Sequence, residues 1–173
     1  MSYLIIGDVH ADYQPFKKAI EYATEHKLHL ISVGDIVDGG NDGAICVEAM
    51  LELLDKGVAS IVKGNHEHKI IRALDGANVI LGPPNMVTLN QMKTDTKFVT
   101  DFKRMVKEYC QNYIKIEDKL YITHGGMHQD FWEAETTGNL TRRMTDDMMF
   151  GQADYKKTFH HKGQEYPART YEW

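Results

Sequence analysis

The sequence lacks a long apolar run, since no stretch of its 173 residues approaches the roughly 20 apolar residues that a membrane-spanning helix needs. It also begins with a strand-like segment, without the basic region and apolar core of a secretory signal. The hydrophobic fraction of 42% and mean hydropathy of −0.45 are ordinary for a globular protein. We therefore expect a globular protein that has no membrane partner.

Cysteine and net positive charge are also scarce. Cys46 and Cys110 lie far apart and within helical patterns, which favours reduced core residues over a disulfide and fits a cytoplasmic location. The net charge is −5 and the sequence pI is about 6.0, so no general field draws the protein onto nucleic acid. This lowers the expectation of a DNA-coating protein but leaves nucleases open, because a catalytic site uses local charge.

Short apolar runs alternate with helical patterns in the first third of the chain. The periodicity predicts strands over residues 3–6, 28–33 and 59–62, with helices over 13–26 and 44–56 between them. This alternation is typical of parallel βαβ units with right-handed crossovers. Further along, the pattern predicts an amphipathic helix over 98–113 and antiparallel strands over 113–117 and 120–123, after a polar stretch with no assigned element.

Four of the expected strands end in a polar cluster beside a glycine. The clusters are Gly7-Asp8-Val9-His10, Gly34-Asp35-Ile36-Val37-Asp38-Gly39, Gly64-Asn65-His66-Glu67 and His124-Gly125. Ligands of open α/β sheets collect beyond the carboxyl ends of the strands. Carboxylate, imidazole and amide oxygens bind divalent metals, and carboxylates crowded into one cavity repel one another without cations. The pattern therefore indicates a site for two metal ions about 3.5–4 Å apart.

In this order the motifs D-x-H, GD-x-x-D, GNHE and HGG resemble those of the calcineurin-like metallophosphoesterases. The similarity is greatest to the bacterial and phage Ser/Thr protein phosphatases and to the phosphatase module of bacterial polynucleotide kinase-phosphatases, and residues 64–74 and 166–173 share in it. Any one motif alone is compatible with a helix cap or a turn, but the shared order favours function. The resemblance implies an α/β fold: a βαβ sandwich of two sheets flanked by helices in four layers.

The resemblance also implies a role for each motif residue. The first metal would be bound by Asp8 and His10, both metals would share Asp35, and the second metal would be bound by Asn65 and His124. We expect manganese, with iron, zinc, nickel and magnesium as alternatives.

The catalytic residues implied by the resemblance are His66 and Asp38. His66 would donate a proton to the leaving oxygen while Asp38 holds its ring, and a metal-bridging hydroxide would attack phosphorus. Glu67 belongs to the same motif, and the sequence leaves open whether it supports the loop or takes part in the chemistry.

The second motif departs from the family pattern at Gly39, where the protein phosphatases have an arginine that grips the phosphate. Lys63 and Arg72 flank the catalytic loop and are the expected substitutes, although either could be a solvated surface residue. A second departure is Ala11, which stands where the family has glycine. This change is tolerable where the backbone does not need a positive φ.

The third departure is that the sequence ends before the family's last Gly-His segment. We therefore expect residues 1–173 to form a single metallophosphoesterase domain that is truncated at its C-terminus and lacks its last strands. A sheet without those strands would expose an edge, through which the protein could form an oligomer.

The expected function is hydrolysis of phosphate monoesters, either of phosphoproteins or of small or nucleic-acid phosphates. Two alternatives stay open because the arginine is absent. One is a phosphodiesterase or nuclease of the same superfamily, which grips a monoanion. The other is a non-catalytic module that binds phosphate or metal, although such a module has no need of a proton donor at His66.

Overall fold

The computed structural model describes residues 1–161 and 164–170. The chain divides into two compact units, Met1–Ile122 and Thr123–Trp173. Within the described residues, no helix combines the length and the apolar composition that crossing a bilayer requires. That residues 1–173 form one domain stays a prediction.

Parallel strands form the main sheet of the first unit. In the described part of the chain the strand order is β1-β2-β3-β4, and every pair is parallel. The strands are β1 (Tyr3–Ile6), β2 (His29–Ser32), β3 (Ala59–Val62) and β4 (Cys110–Gln111). The helices between them are α1 (Tyr13–Glu25), α2 (Gly43–Asp55), α3 (Asn65–Leu74), α4 (Pro83–Thr94) and α5 (Thr96–Arg104). The predicted α/β class is confirmed.

The two faces of this sheet have different neighbours, because successive strand residues point to opposite sides. Leu30 and Ile61 belong to the large core that the helices build. Ile31 and Val62 pack instead with Ile114 and Ile122. The last two residues come from an antiparallel pair of strands, β5 (Ile114–Ile116) and β6 (Leu120–Ile122), which was predicted from the sequence.

The predicted helix over residues 98–113 is wrong at its C-terminal end. Helix α5 ends at Arg104, a π-helical turn covers Met105–Tyr109, and Cys110 and Gln111 then pair with β3. The apolar pattern of α5 continues through Cys110 because Cys110 packs against the same core that contains Phe98 and Phe102. Both cysteines are free thiols, as predicted.

Helix α4 occupies the polar stretch to which the sequence assigned no element. Its buried side chains are Asn85, Thr88 and Met92, so its inward face is partly polar and gives no apolar periodicity. Pro83 and Pro84 fit the first turn, where a missing backbone N–H is tolerated. Met92 belongs to the large apolar core, whereas the buried Asn85 and Thr88 indicate that the first half of α4 packs against polar groups.

The second unit contains α6 (Phe131–Thr137), α7 (Arg142–Phe150) and a hairpin of β7 (Gln152–His161) and β8 (Gln164–Thr170). The backbone amide of Gly125 donates to the carbonyl of Met148 at 2.6 Å, which anchors the start of the unit to α7. Tyr171–Trp173, which contribute to the family resemblance, lie outside the described residues.

Candidate metal centre

The loops that follow β1 and β2 are joined by backbone hydrogen bonds. The amides of Val9 and His10 donate to the carbonyl of Asp35 at 3.0 and 2.8 Å. This brings the His10 side chain to the predicted bridging residue, with His10 Nε2 4.0 Å from Asp35 Oδ2. The same nitrogen lies 3.6 Å from Asp8 Oδ2. The structure therefore places Asp8, His10 and Asp35 together at the carboxyl ends of adjacent strands.

Several residues of these loops adopt left-handed backbone conformations. The φ angles are 49° at His10, 54° at Ala11, 51° at Asp35 and 71° at Asp38. Such values are uncommon for residues with a Cβ, and they cluster at functional sites. At position 11, where the family has glycine, alanine was expected to be tolerated only if the backbone does not need a positive φ. The φ of Ala11 is 54°, so this requirement is not met.

The Glu67 carboxylate holds the loop after β2 to the loop after β3. Its Oε2 accepts from the amides of Asp35 at 2.7 Å and Gly64 at 3.1 Å, and its Oε1 accepts from Ile36 at 2.8 Å. A Cβ at Gly64 would lie only 2.6 Å from Glu67 Oε2, so this approach requires glycine. Burial, and then the negative charge of Asp35, raises the pKa of the Glu67 carboxyl to about 7. These contacts give Glu67 the supporting role that the sequence left open.

His66 is held by Asp38. Its Nδ1 donates to Asp38 Oδ2 at 2.7 Å, and its Nε2 lies 3.8 Å from Asp35 Oδ2. The hydrogen bond to Asp38 raises the pKa of His66 above its usual value, and burial opposes this effect only in part. The ring thus presents Nε2 to the cluster with its other nitrogen fixed.

The donor set fits divalent cations. One ligand atom each of His10, Asp35 and His66 lies within 4.8 Å of the others. His10 Nδ1 faces the carbonyl of Val37 at 3.4 Å, which leaves Nε2 for a metal, as is usual for histidine ligands. Among the described residues, Asn65 Oδ1 is buried without a hydrogen-bond partner, and a bound cation would satisfy it.

The other predicted site residues are His124, Arg72 and Lys63. His124 lies two residues beyond the end of β6, within the second unit, and its role as a metal ligand stays a prediction. Arg72 is exposed in the last turn of α3, about 10 Å along the helix from His66. Lys63 is half-buried, and its backbone amide donates to Gln111 at 2.8 Å. The phosphate-binding roles of Lys63 and Arg72 also stay predictions.

A groove of about 800 Å³ opens beside the cluster, within the range of about 300–1,000 Å³ for small-molecule sites. His10, His66 and Pro84 line it, together with a loop of small and polar residues from Gly39 to Asp42. Among the described residues that line it there is no lysine or arginine, so an anionic substrate would need cations here. The φ of 96° at Gly39 is one that L-residues rarely adopt, so an arginine with this backbone conformation would be strained.

A family model described as calcineurin-like phosphoesterase matches residues 1–172. The chain therefore belongs to the calcineurin-like phosphoesterase family, as its motifs predicted. A solved structure of a metallophosphoesterase from Sphaerobacter thermophilus is similar with a TM-score of 0.47 and 24% identity, over 72% of this chain and 46% of that one.

Curated relatives of the chain are asymmetrical bis(5'-nucleosyl)-tetraphosphatases named PrpE. The Anoxybacillus flavithermus protein is 28% identical over 146 residues, which cover 76% of this chain and 60% of the relative. The Halalkalibacterium halodurans protein is 26% identical over 166 residues, covering 87% and 65%. A Bacillus anthracis protein is 30% identical over 150 residues, covering 76% and 60%. The chain thus spans less than two thirds of the length of these relatives.

Sequence reasoning did not identify the residues of α4 that contact Asp38. Asn85 Nδ2 donates to Asp38 Oδ2, and the Asp38 amide donates to Thr88 Oγ1 at 3.1 Å. The only sequence signal is a pair of polar residues three positions apart behind a Gly-Pro-Pro helix start. That signal indicates a helix without indicating what the helix contacts.

Proposed function

We propose that this chain is a metal-dependent phosphoester hydrolase in which His66 protonates the leaving oxygen. The observation that carries the proposal is the orientation of the His66 ring. Its Nδ1 is held by Asp38 at 2.7 Å, and the residue lines the groove beside Asp35 and His10. A ring fixed at one nitrogen and open to a groove at the other is suited to general acid catalysis.

The side chains of Asp8, His10, Asp35 and Asn65 would hold the divalent cations in the first unit. Manganese is the proposed metal, with iron, zinc, nickel and magnesium as alternatives. Bound cations would supply positive charge to the phosphoryl oxygens and a water of lowered pKa. The buried carboxylate of Asp35 supports this role, because it is 3% exposed and its Oδ2 lies 4.0 Å from Nε2 of His10, which can share a cation with it.

Two substrate classes remain, and a different observation favours each. The retained His66 and Asp38 pair favours esters, because an alkoxide leaving group needs a proton more than a phosphate leaving group does. This supports phosphate esters over polyphosphates, and it is compatible with the monoesters of proteins, nucleic acids or small molecules that the motifs suggested.

The second candidate is a bridging phosphate linkage, such as a diester or a bis(5'-nucleosyl) polyphosphate. Gly39 favours it, because the arginine that would grip a monoester dianion is absent. The names of the PrpE relatives favour it as well. The groove beside the cluster is large enough for substituents on both sides of a phosphate.

A substrate comparison on the purified chain in manganese chloride tests the proposal. The substrates are p-nitrophenyl phosphate, bis-p-nitrophenyl phosphate and diadenosine tetraphosphate. A higher kcat/KM for the monoester supports the first class, and a higher value for either bridged substrate supports the second. If the chain folds and binds manganese but hydrolyses none of the three substrates, the proposed activity is contradicted and a non-catalytic module is favoured.

The exposed His26 provides the matched control for the catalytic histidine. His26 lies on the surface of α1, and its Nδ1 contacts the carbonyl of Tyr22 at 2.9 Å. We expect His26→Ala to hydrolyse each substrate at the wild-type rate. We expect His66→Ala to lose about 10²–10⁴-fold in kcat on the phenyl analogue of the preferred ester, whose poor leaving group needs the proton, and this is the usual contribution of a general acid.

A further inference from the structure

The buried carboxylate of Asp38 has few partners. The residue is 0% exposed, and both side-chain hydrogen bonds that it accepts fall on Oδ2. One comes from His66 and the other from Asn85, while Oδ1 has no partner among the described residues. A buried carboxylate depends strongly on each donor that it has, since no water replaces a lost one.

The Asn85 amide is oriented by a second contact. Its Oδ1 accepts from the backbone amide of Gly82 at 2.9 Å, at the start of α4. A backbone N–H needs an acceptor, so the oxygen of the side chain must face Gly82 and its NH2 group must face Asp38. Asn85 is 2% exposed, which leaves the amide without alternative partners in solvent.

Helix α4 also holds the backbone of Asp38 and borders the groove. Thr88, one turn after Asn85, accepts from the Asp38 amide at 3.1 Å, and Pro84 lines the groove with His66. Asp38 has a φ of 71°, a conformation that persists only where the surroundings hold it. The polar inner face of α4 is therefore matched to Asp38 at both its side chain and its backbone.

We propose that Asn85 is a positioning residue for the proton donor, because it fixes the Asp38 carboxylate that orients the His66 ring. This inference rests on the proposed function of His66. Without the Asn85 amide, the Asp38 carboxylate would turn or admit water, and His66 Nε2 would lose its alignment with the leaving oxygen. Asn85 itself does not contact the reacting atoms and acts through two side chains.

The leaving group distinguishes positioning from general damage. A proton donor matters more for a poor leaving group than for a good one, so the ratio of kcat for p-nitrophenyl to kcat for phenyl esters measures its contribution. The esters are mono- or diesters, according to which class the wild-type chain hydrolyses. We expect the ratio to rise by about tenfold in Asn85→Ala and by more in His66→Ala and Asp38→Ala, within the usual range of general acid effects.

Two further variants complete the test. Asn85→Leu keeps the side-chain volume but removes the donor to Asp38, so we expect the same rise in the ratio. Asn90→Ala makes an asparagine-to-alanine change at an exposed position of α4 and should leave the ratio at the wild-type value. A wild-type ratio in Asn85→Leu, or an equal loss on both esters in Asn85→Ala, overturns the inference.

The outcome for His66→Ala keeps the two proposals apart. If His66→Ala changes the ratio and Asn85→Ala does not, the proposed function stands and the role of Asn85 is wrong. If His66→Ala leaves the ratio unchanged, the proposed function fails and this inference fails with it.

A spectroscopic measurement tests the contact without turnover. In the metal-free full chain, the His66 Nδ1–H proton should give a downfield NMR resonance because it is bound to a carboxylate. We expect this resonance to move upfield or broaden in Asn85→Ala and to be unchanged in Asn90→Ala. An unchanged resonance in Asn85→Ala overturns the inference.

Discussion

The backbone amide of Asp35 donates a hydrogen bond to Glu67 Oε2 at 2.7 Å. This bond joins the loop after β2 to the first turn of α3, and the amide of Ile36 adds a second at 2.8 Å. Asp35 Oδ2 lies 4.0 Å from His10 Nε2 and 3.8 Å from His66 Nε2. The position of Asp35 in this cluster therefore depends on a buried carboxylate from another loop. Glu67 thus holds in place the residue that we propose to bind both metals, and it has no proposed part in the chemistry itself.

Replacing Glu67 with glutamine should destabilise the first unit. One side of the neutral amide would present N–H groups to backbone N–H groups, which leaves buried donors without an acceptor. We expect Glu67→Gln to lower the free energy of unfolding by about 1–3 kcal/mol, the usual effect of an unsatisfied buried group. Urea unfolding of the metal-free chain measures this change. The exposed Glu25→Gln is the control, and equal stability of the two variants contradicts the role assigned to Glu67.

Removal of the Asp38 charge should lower the pKa of His66. The hydrogen bond to Asp38 is the main cause that raises this pKa, so Asp38→Asn removes the stabilisation of the imidazolium. Because the folded-state value lies above the unfolded one, the stabilisation is complete below about pH 6.5 and is lost as pH rises through the folded-state pKa. NMR titration of the metal-free chain reports the shift directly. A His66 pKa that is equal in the two proteins argues against the pairing, and the His26 resonance serves as internal reference.

Metal affinity should separate the ligands from the proton donor. Calorimetric titration of the stripped chain with manganese chloride should show a loss of about tenfold or more in His10→Ala, as even residues around a metal site contribute that much. His66→Ala should retain the wild-type affinity, because His66 is assigned to the leaving oxygen. A large loss of affinity in His66→Ala would instead make His66 a ligand, which its distance from Asp35 permits.

The backbone at position 39 should resist any side chain. We expect Gly39→Ala to lower the free energy of unfolding by about 1–2 kcal/mol, because a Cβ is disfavoured in the left-handed region. Gly7→Ala is the control, since Gly7 has an ordinary φ and open space around its Cα. Urea unfolding measures both. If Gly39→Ala is as stable as Gly7→Ala, strain does not explain the absence of an arginine there.

The sequence predicted the parts of the fold in which local pattern and packing agree. Strands β1 to β3 are short apolar runs that lead into Gly-Asp or Gly-Asn. The structure has all three within one residue of the predicted bounds. The motif residues Asp8, His10 and Asp35 follow these strands, so parallel pairing alone brings them to one edge. Position in the sequence was enough to find this half of the site.

The sequence did not predict α4 and β4, whose positions depend on contacts with distant segments of the chain. Helix α4 buries Asn85 and Thr88 against Asp38, so no apolar period marks it. Strand β4 has two residues and continues an apolar helical pattern, so the boundary at Cys110 is set by pairing with β3. Both depend on contacts between segments about 50 residues apart, which periodicity within one segment does not contain.

The most direct test of the central claim is hydrolysis of phenyl phosphate or diphenyl phosphate by the metal-stripped chain as manganese is restored, because the phenyl leaving group depends on a proton donor. The account predicts turnover that appears with manganese, disappears with chelator, and falls by about 10²-fold or more in His66→Ala but not in His26→Ala. Turnover that is independent of added metal, or equal in wild type and His66→Ala, would contradict the account.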